Sequence, residues 1–152
     1  MEIERKYLIH KLPEDYDAYP HHEIEQGYLC TNPVVRIRKS DESYTLTYKG
    51  RGLMVREEYN LPLTKEAYLH LRQKTDGNLI HKIRYNIPYL DNYIIELDIF
   101  LDSLAPLILA EVEFPTKKEA KHFIPPNWFG EDVTFSSRYH NSTLSQIKQT
   151  EA

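Results

Sequence analysis

The stretch Met1-Glu2-Ile3-Glu4-Arg5-Lys6-Tyr7-Leu8-Ile9 sets two carboxylates and an ammonium two residues apart. Side chains alternate faces along a β-strand, so Glu2, Glu4 and Lys6 share one face of a strand expected over residues 2–10. A solvated sheet face would carry charges at the same spacing. The stretch becomes informative because the chain repeats it. Arg36/Arg38, Arg56/Glu58, Lys82/Arg84, Glu96/Asp98 and Glu111/Glu113 are all spaced by two, and Lys49 ends another β-like run. Apolar residues such as Ile3, Ile37, Ile83, Leu97 and Val112 stand between them. The ends of the chain supply acids and the middle supplies bases. Independent wet faces have no reason to sort that way.

Punctuation around these pairs marks the elements. Strands are expected over residues 2–10, 23–31, 34–39, 43–49, 55–61, 79–87, 93–101 and 107–114, separated by turn signals such as Asn32-Pro33 and Gly50-Arg51-Gly52. Thr64 is a suitable N-cap for a helix reaching Lys74, and Asp76-Gly77 closes it. Thr116 suits a short helix over residues 117–123, and a last helix is expected from His140 to Lys148. Eight mostly adjacent strands with three short helices give a mainly β chain of α+β character. The pattern favours an antiparallel barrel or sandwich over a parallel sheet.

Composition narrows the function classes. A chain of 152 residues, 41% hydrophobic and 28% charged, suits one soluble globular domain over 1–152. A net charge of −4 argues against a general nucleic-acid binder. No apolar run is long enough for a membrane helix, and no basic-then-apolar leader precedes the first strand. The single cysteine, Cys30, excludes an internal disulfide and points to a reducing, cytoplasmic setting. The scattered histidines lack metal-ligand spacing, and Trp128 and Phe129 read as packing at a barrel rim.

If the charged rungs line a closed barrel, its lumen cannot be dry, because an unpaired buried ion costs several kcal/mol. It would hold water, a metal and a polyanion. Carboxylates suit a hard divalent cation such as Mg²⁺ or Mn²⁺. Arginine and lysine suit phosphate oxygens. The outside would need helices or a partner to cover it.

Glu2-Ile3-Glu4-Arg5-Lys6 matches the ExExK signature of the CYTH superfamily, the triphosphate tunnel metalloenzymes. Arg36-Ile37-Arg38, Lys49, Lys82-Ile83-Arg84, Glu96-Leu97-Asp98, Glu111-Val112-Glu113 and Arg138 fall in that family's order over nearly the whole chain. Residues 103–114 and 124–134 look like the short bacterial members, which resemble inorganic tripolyphosphatases more than thiamine triphosphatases or class IV adenylate cyclases. The resemblance implies a closed eight-stranded antiparallel β-barrel tunnel with a few short covering helices, holding a small-molecule triphosphate and Mg²⁺ or Mn²⁺. It implies Glu2, Glu4, Glu111 and Glu113 as metal ligands, with Asp98 as a further or water-mediated one. Lys6, Arg36, Arg38, Lys49, Lys82, Arg84 and Arg138 would bind phosphates. Lys6, Glu58 and Tyr28 are the catalytic candidates, Glu58 for a second metal or the attacking water and Lys6 by pairing with Tyr28.

Two positions depart from the family pattern. Asn60 stands where relatives often continue the acidic alternation. His140 stands two residues after Arg138, where related chains often have lysine, so one phosphate contact is expected to depend on pH. The implied activity is metal-dependent hydrolysis releasing orthophosphate. The alternatives are a cyclase making cyclic AMP and pyrophosphate from ATP in the same tunnel, or a non-catalytic polyphosphate- or nucleotide-binding module. The module would need no ordered acid pairs. A homodimer is left open.

Overall fold

Alternating apolar and charged runs become nine strands: β1 (Glu2–Leu8), β2 (His21–Thr31), β3 (Val34–Ser40), β4 (Ser43–Lys49), β5 (Val55–Arg56), β6 (Glu58–Pro62), β7 (Asp76–Tyr89), β8 (Tyr93–Phe100) and β9 (Ile108–Glu113). Three α-helices, α1 (Lys65–Arg72), α2 (Lys117–His122) and α3 (Asn141–Leu144), and three short 3-10 turns join them in the computed structural model, which describes residues 1–147. The expected end of the last helix, at Lys148, lies outside the described residues.

The strands pair in the order β5-β1-β9-β8-β7-β2-β3-β4-β6, antiparallel throughout. The two margins of that order, β5 and β6, are separated in the chain only by Glu57. The sheet is therefore a nearly closed barrel. Nine strands stand where eight were expected because the run over residues 55–61 changes partners at Glu57. Arg56 pairs with Glu2 of β1, and Glu58 pairs with Lys49 of β4. Between them the Glu57 carbonyl accepts the Gly50 N–H at 3.0 Å.

The pleat then sorts the side chains. Tyr7, Ile95, Leu97, Ala110 and Val112 face outward and are buried with Ala120 and Phe123 of the α2 region, and Trp128 and Phe129 pack on the same cluster. Burial of this apolar set favours folding. Arg5 ties the cover down through Nη1 to the Ala120 carbonyl at 2.8 Å and Nη2 to Asp132 at 2.7 Å. On the inward face, Tyr28, Val34, Ile80, Phe100 and Leu109 meet Val133 and Leu144 of the C-terminal segment and plug part of the interior.

α1 covers another side of the barrel, as expected. Thr64 caps it by accepting the Ala67 N–H at 3.1 Å, and Tyr68 is buried beside Tyr44. The helix stops at Arg72, and β7 extends back to Asp76 past the expected Asp76-Gly77 stop. Tertiary pairing overrides the turn signal there: Asp76 pairs with Tyr28, and the Asn78 N–H donates to the Ser145 carbonyl. Among the described residues no helix is long and apolar enough to cross a membrane.

Candidate active site

The inward rungs wall a cavity of about 220 Å³. Glu2, Glu4 and Lys6 enter it from β1, Arg36 and Arg38 from β3, Lys49 from β4, Glu58 from β6, Arg84 from β7, and Glu111 and Glu113 from β9. Tyr28 also borders it. These residues come from all over the chain, and the shared parity of their strands brings them together.

Three expected site residues are not brought to the cavity. Lys82 and Asp98 are fully buried and paired with each other at 2.7 Å. Both Asp98 oxygens are engaged, since Arg84 grips them through Nε at 2.7 Å and Nη2 at 2.9 Å. The two cations hold Asp98 below the usual carboxylate range against the opposing effect of burial. Asp98 thus positions Arg84. Arg138 lies in an exposed turn outside the cavity, its guanidinium over the Tyr139 ring. That turn aims the neighbouring His140, Asn141 and Ser142 at the cavity instead.

The cations fall into two groups. Lys6 pairs with Glu111 at 3.4 Å, and Lys49 with Glu2 at 2.9 Å and Glu58 at 3.7 Å. Arg84 has Asp98 and Glu96. Arg36, Arg38 and Arg56 have no carboxylate partner among the described residues. Arg36 donates from Nη2 to Thr47 at 3.2 Å, and its buried Nε has no partner. Arg38 has Gln26 Oε1 at 2.9 Å, and Arg56 has the Gly50 carbonyl at 3.1 Å. Burial and the charges of Arg36 and Arg84 pull Arg38 down to about 9, still a cation at neutral pH. Guanidinium groups held this way are built for an anion that supplies several oxygens at once.

The acids are crowded in pairs. Burial, a hydrogen bond with Glu58 and the charge of Glu4 push Glu2 up to about 8. Burial resists ionisation of Glu58 too, yet the contacts with Glu2, Asn60 and Lys49 pull it down to about 2. Burial and the Glu111 charge raise Glu4 to about 7. Glu111 is held well below the ordinary range despite its burial, by Lys6 and Arg84. Each pair therefore resists double ionisation, because two close carboxylates cannot both ionise cheaply.

That donor set fits a divalent cation, which would offset the repulsion within each pair. Among the described residues no three His, Cys, Asp or Glu side chains converge as a ready-made cage. Mg²⁺ needs none, since it is usually held by one or two carboxylates with waters and phosphate oxygens completing its shell.

Lys6 and Tyr28 do not hydrogen-bond to each other. Lys6 Nζ donates to the Tyr139 carbonyl at 3.0 Å, and the Tyr28 hydroxyl accepts from Gln26 Nε2 at 3.0 Å. Asn60, the departure from the acidic alternation, has a local task. Arg36 donates to Thr47, Thr47 to Asn60, and Asn60 Nδ2 to Glu58 Oε1 at 2.8 Å. This relay orients Glu58 and leaves its Oε2 without a hydrogen-bond partner. His140 corrects the expected pH dependence. Burial and the charges of Lys6, Arg56 and Lys49 push it down to about 4, so it is neutral at physiological pH.

Arg56, Glu96, Asn141 and Ser142 also line the cavity but were not among the expected site residues. Arg56 and Glu96 carried the same spacing-by-two signal as the rest. Asn141 and Ser142 carried none, because they follow an irregular turn.

A family model described as the CYTH domain matches residues 1–150. The chain is 38% identical over 148 residues to an inorganic triphosphatase of Nitrosomonas europaea, covering 95% of this chain and 96% of that protein. It is 31% identical over 152 residues to an inorganic triphosphatase of Acetivibrio thermocellus, covering 94% and 92%. The fold superposes on the crystal structure of the inorganic triphosphatase NE1496 with a TM-score of 0.73 at 35% identity, covering 97% of this chain and 96% of that one.

Proposed function

The chain belongs to the CYTH domain family, and we propose that it hydrolyses inorganic tripolyphosphate, releasing orthophosphate with the help of Mg²⁺ or Mn²⁺. One observation carries the reading. Three guanidinium groups without acid partners among the described residues face the same cavity as two crowded carboxylate pairs. The first feature calls for a polyanion and the second for a cation, and a metal-bound triphosphate is both. The two inorganic triphosphatase relatives support the same substrate class.

Phosphoryl transfer needs positioning and charge neutralisation more than covalent chemistry. Arg36, Arg38 and Arg84 would hold the phosphate oxygens in register. Lys6 and Lys49, already seated among acids, would neutralise the end that reacts. Glu2, Glu4, Glu111 and Glu113 would hold the divalent cation, which when bound withdraws charge from phosphate oxygens. Glu58 Oε2 is free to accept a hydrogen bond from a water and aim it at the terminal phosphorus. With its affinity for protons held so low, Glu58 orients that water and does not deprotonate it. As the water oxygen bonds to phosphorus, the bridging P–O bond breaks, its electron pair leaves with pyrophosphate, and the water's proton passes to a phosphate oxygen. The single cysteine, Cys30, is unpaired and suits a reducing cytoplasm.

The test is phosphate release from tripolyphosphate with Mg²⁺ or Mn²⁺, in wild type and in Glu4→Gln and Arg38→Ala. Both variants should lose turnover while staying folded. Full activity in both would refute the site. Cyclic AMP and pyrophosphate from ATP would instead identify a cyclase, and tight binding without turnover a binding module.

A further inference from the structure

A second cavity, of about 240 Å³, lies beside the first, between the β2–β3 turn, the β4–β5 loop and the C-terminal segment. The two cavities share Val34, Arg56, His140 and Ser142 as walls. Their charge differs sharply. Six glutamates line the first, and among the described residues no carboxylate lines the second. The second offers Arg51 and Arg56, with Thr31, Asn32 and Thr143 as neutral hydrogen-bonding side chains.

Arg56 stands on the boundary. It is 9% exposed, makes one hydrogen bond to the Gly50 carbonyl and has no acid partner among the described residues. An isolated buried guanidinium is costly unless something anionic comes to it. The hydrogen bond fixes the loop that carries Arg51. Gly52 adopts φ +135°, and a side chain there would run into the Val55 carbonyl, so this turn needs glycine. No Phe, Tyr or Trp ring lines the second cavity among the described residues, which leaves a nucleobase no broad face to stack on.

We propose that this second cavity is a phosphate subsite continuing the first, which takes the units beyond the third of a linear inorganic polyphosphate. Three phosphates would occupy the first cavity, and the chain would pass Arg56 and His140 so that the next unit meets Arg51. This rests on the triphosphate reading of the first cavity. An orthophosphate released after cleavage shares the same chemistry, so the test separates the two sources.

Calorimetric titration of the metal-free protein in EDTA reads binding without turnover. Wild type should bind linear tetrapolyphosphate about fivefold to tenfold more tightly than tripolyphosphate, the worth of one further charge-assisted contact. Arg51→Glu and Thr143→Glu place a carboxylate in the second cavity from opposite walls, at exposed positions that do not border the first. Each should bring that ratio close to one. An unchanged ratio in both variants overturns the proposal. So does a ratio near one in wild type, or a loss confined to orthophosphate affinity. Failure of the triphosphate reading looks different: tripolyphosphate then does not bind, while tetrapolyphosphate binding that disappears in Arg51→Glu still supports the subsite.

Discussion

The barrel carries charge on both faces, and the two faces behave differently. Outside, the network is complete. Glu25 accepts from the Tyr68 hydroxyl at 2.7 Å, from Arg72 Nε at 2.7 Å and from His81 Nε2 at 2.8 Å, and His81 Nδ1 meets Asp102 at 2.7 Å. Every strong donor there has its acceptor. Inside, the network is unfinished, with Arg36 Nε and Glu58 Oε2 unpartnered and two carboxylate pairs crowded together. A satisfied network holds the fold, whereas an unsatisfied one stores a demand that a ligand meets. The same barrel therefore serves stability on one face and binding on the other.

The sharpest way to break this contrast is to mutate both faces and read both properties. Glu4→Gln or Arg38→Ala inside should lower kcat/KM for tripolyphosphate by about 10² to 10³ or more, the scale of losing one transition-state contact, with Tm held. A drop in Tm with activity retained would reverse the assignment of the faces. Ligand binding sharpens it further. Tripolyphosphate at about a hundred times its Kd should stabilise wild type by about 2.7 kcal/mol through mass action. Arg38→Ala should lose most of that gain in a thermal-shift measurement, and equal gains would remove Arg38 from the site.

Outside, Glu25→Gln should cost about 1–2 kcal/mol of stability, discounted for the solvent reaching Arg72 and His81, and leave kcat/KM alone. Its pH dependence has a definite sign. Hydrogen bonding to Arg72, against burial and together with Tyr68 and His81, pulls Glu25 down to about 2. The stabilisation is present above the ordinary glutamate value near 4.3 and is lost as pH falls toward 2. The gap between wild type and variant should close over that range in denaturant titrations, and a gap independent of pH would discard the ion-pair account.

The smallest effect concerns His81. Both of its nitrogens face carboxylates, which only accept, and although burial opposes it, these contacts raise its pKa. Its contribution is present below about pH 6.5 and lost as pH rises through the raised value. His81→Gln should therefore cost a few tenths of a kcal/mol at pH 6 and nearly nothing at pH 9.

Spacing by two assigned residues to the inward face, and it did so for Arg56 and Glu96 as well as for the expected set. It did not assign depth along the barrel. Lys82 and Arg84 lie on one face about 7 Å apart, so one is sealed under the floor with Asp98 while the other reaches the cavity. Arg138 followed the family's order but sits in a turn, where strand parity does not apply. Tyr28 reached the cavity wall, yet Lys6 is already occupied by Glu111 and the Tyr139 carbonyl, which no local pattern encodes.

The sequence alone determined the sheet class, the parity of the rungs and the segregation of acids from bases, because the two-residue pleat and the charge of each side chain are local properties. Only the tertiary structure decided that residues 55–62 divide to close the barrel, that Asp98 is spent on Arg84 and Lys82, and that His140, Asn141 and Ser142 form part of the wall. Those outcomes depend on which strand lies next to which and how far along it. Long-range packing sets that distance, and no short stretch of sequence records it.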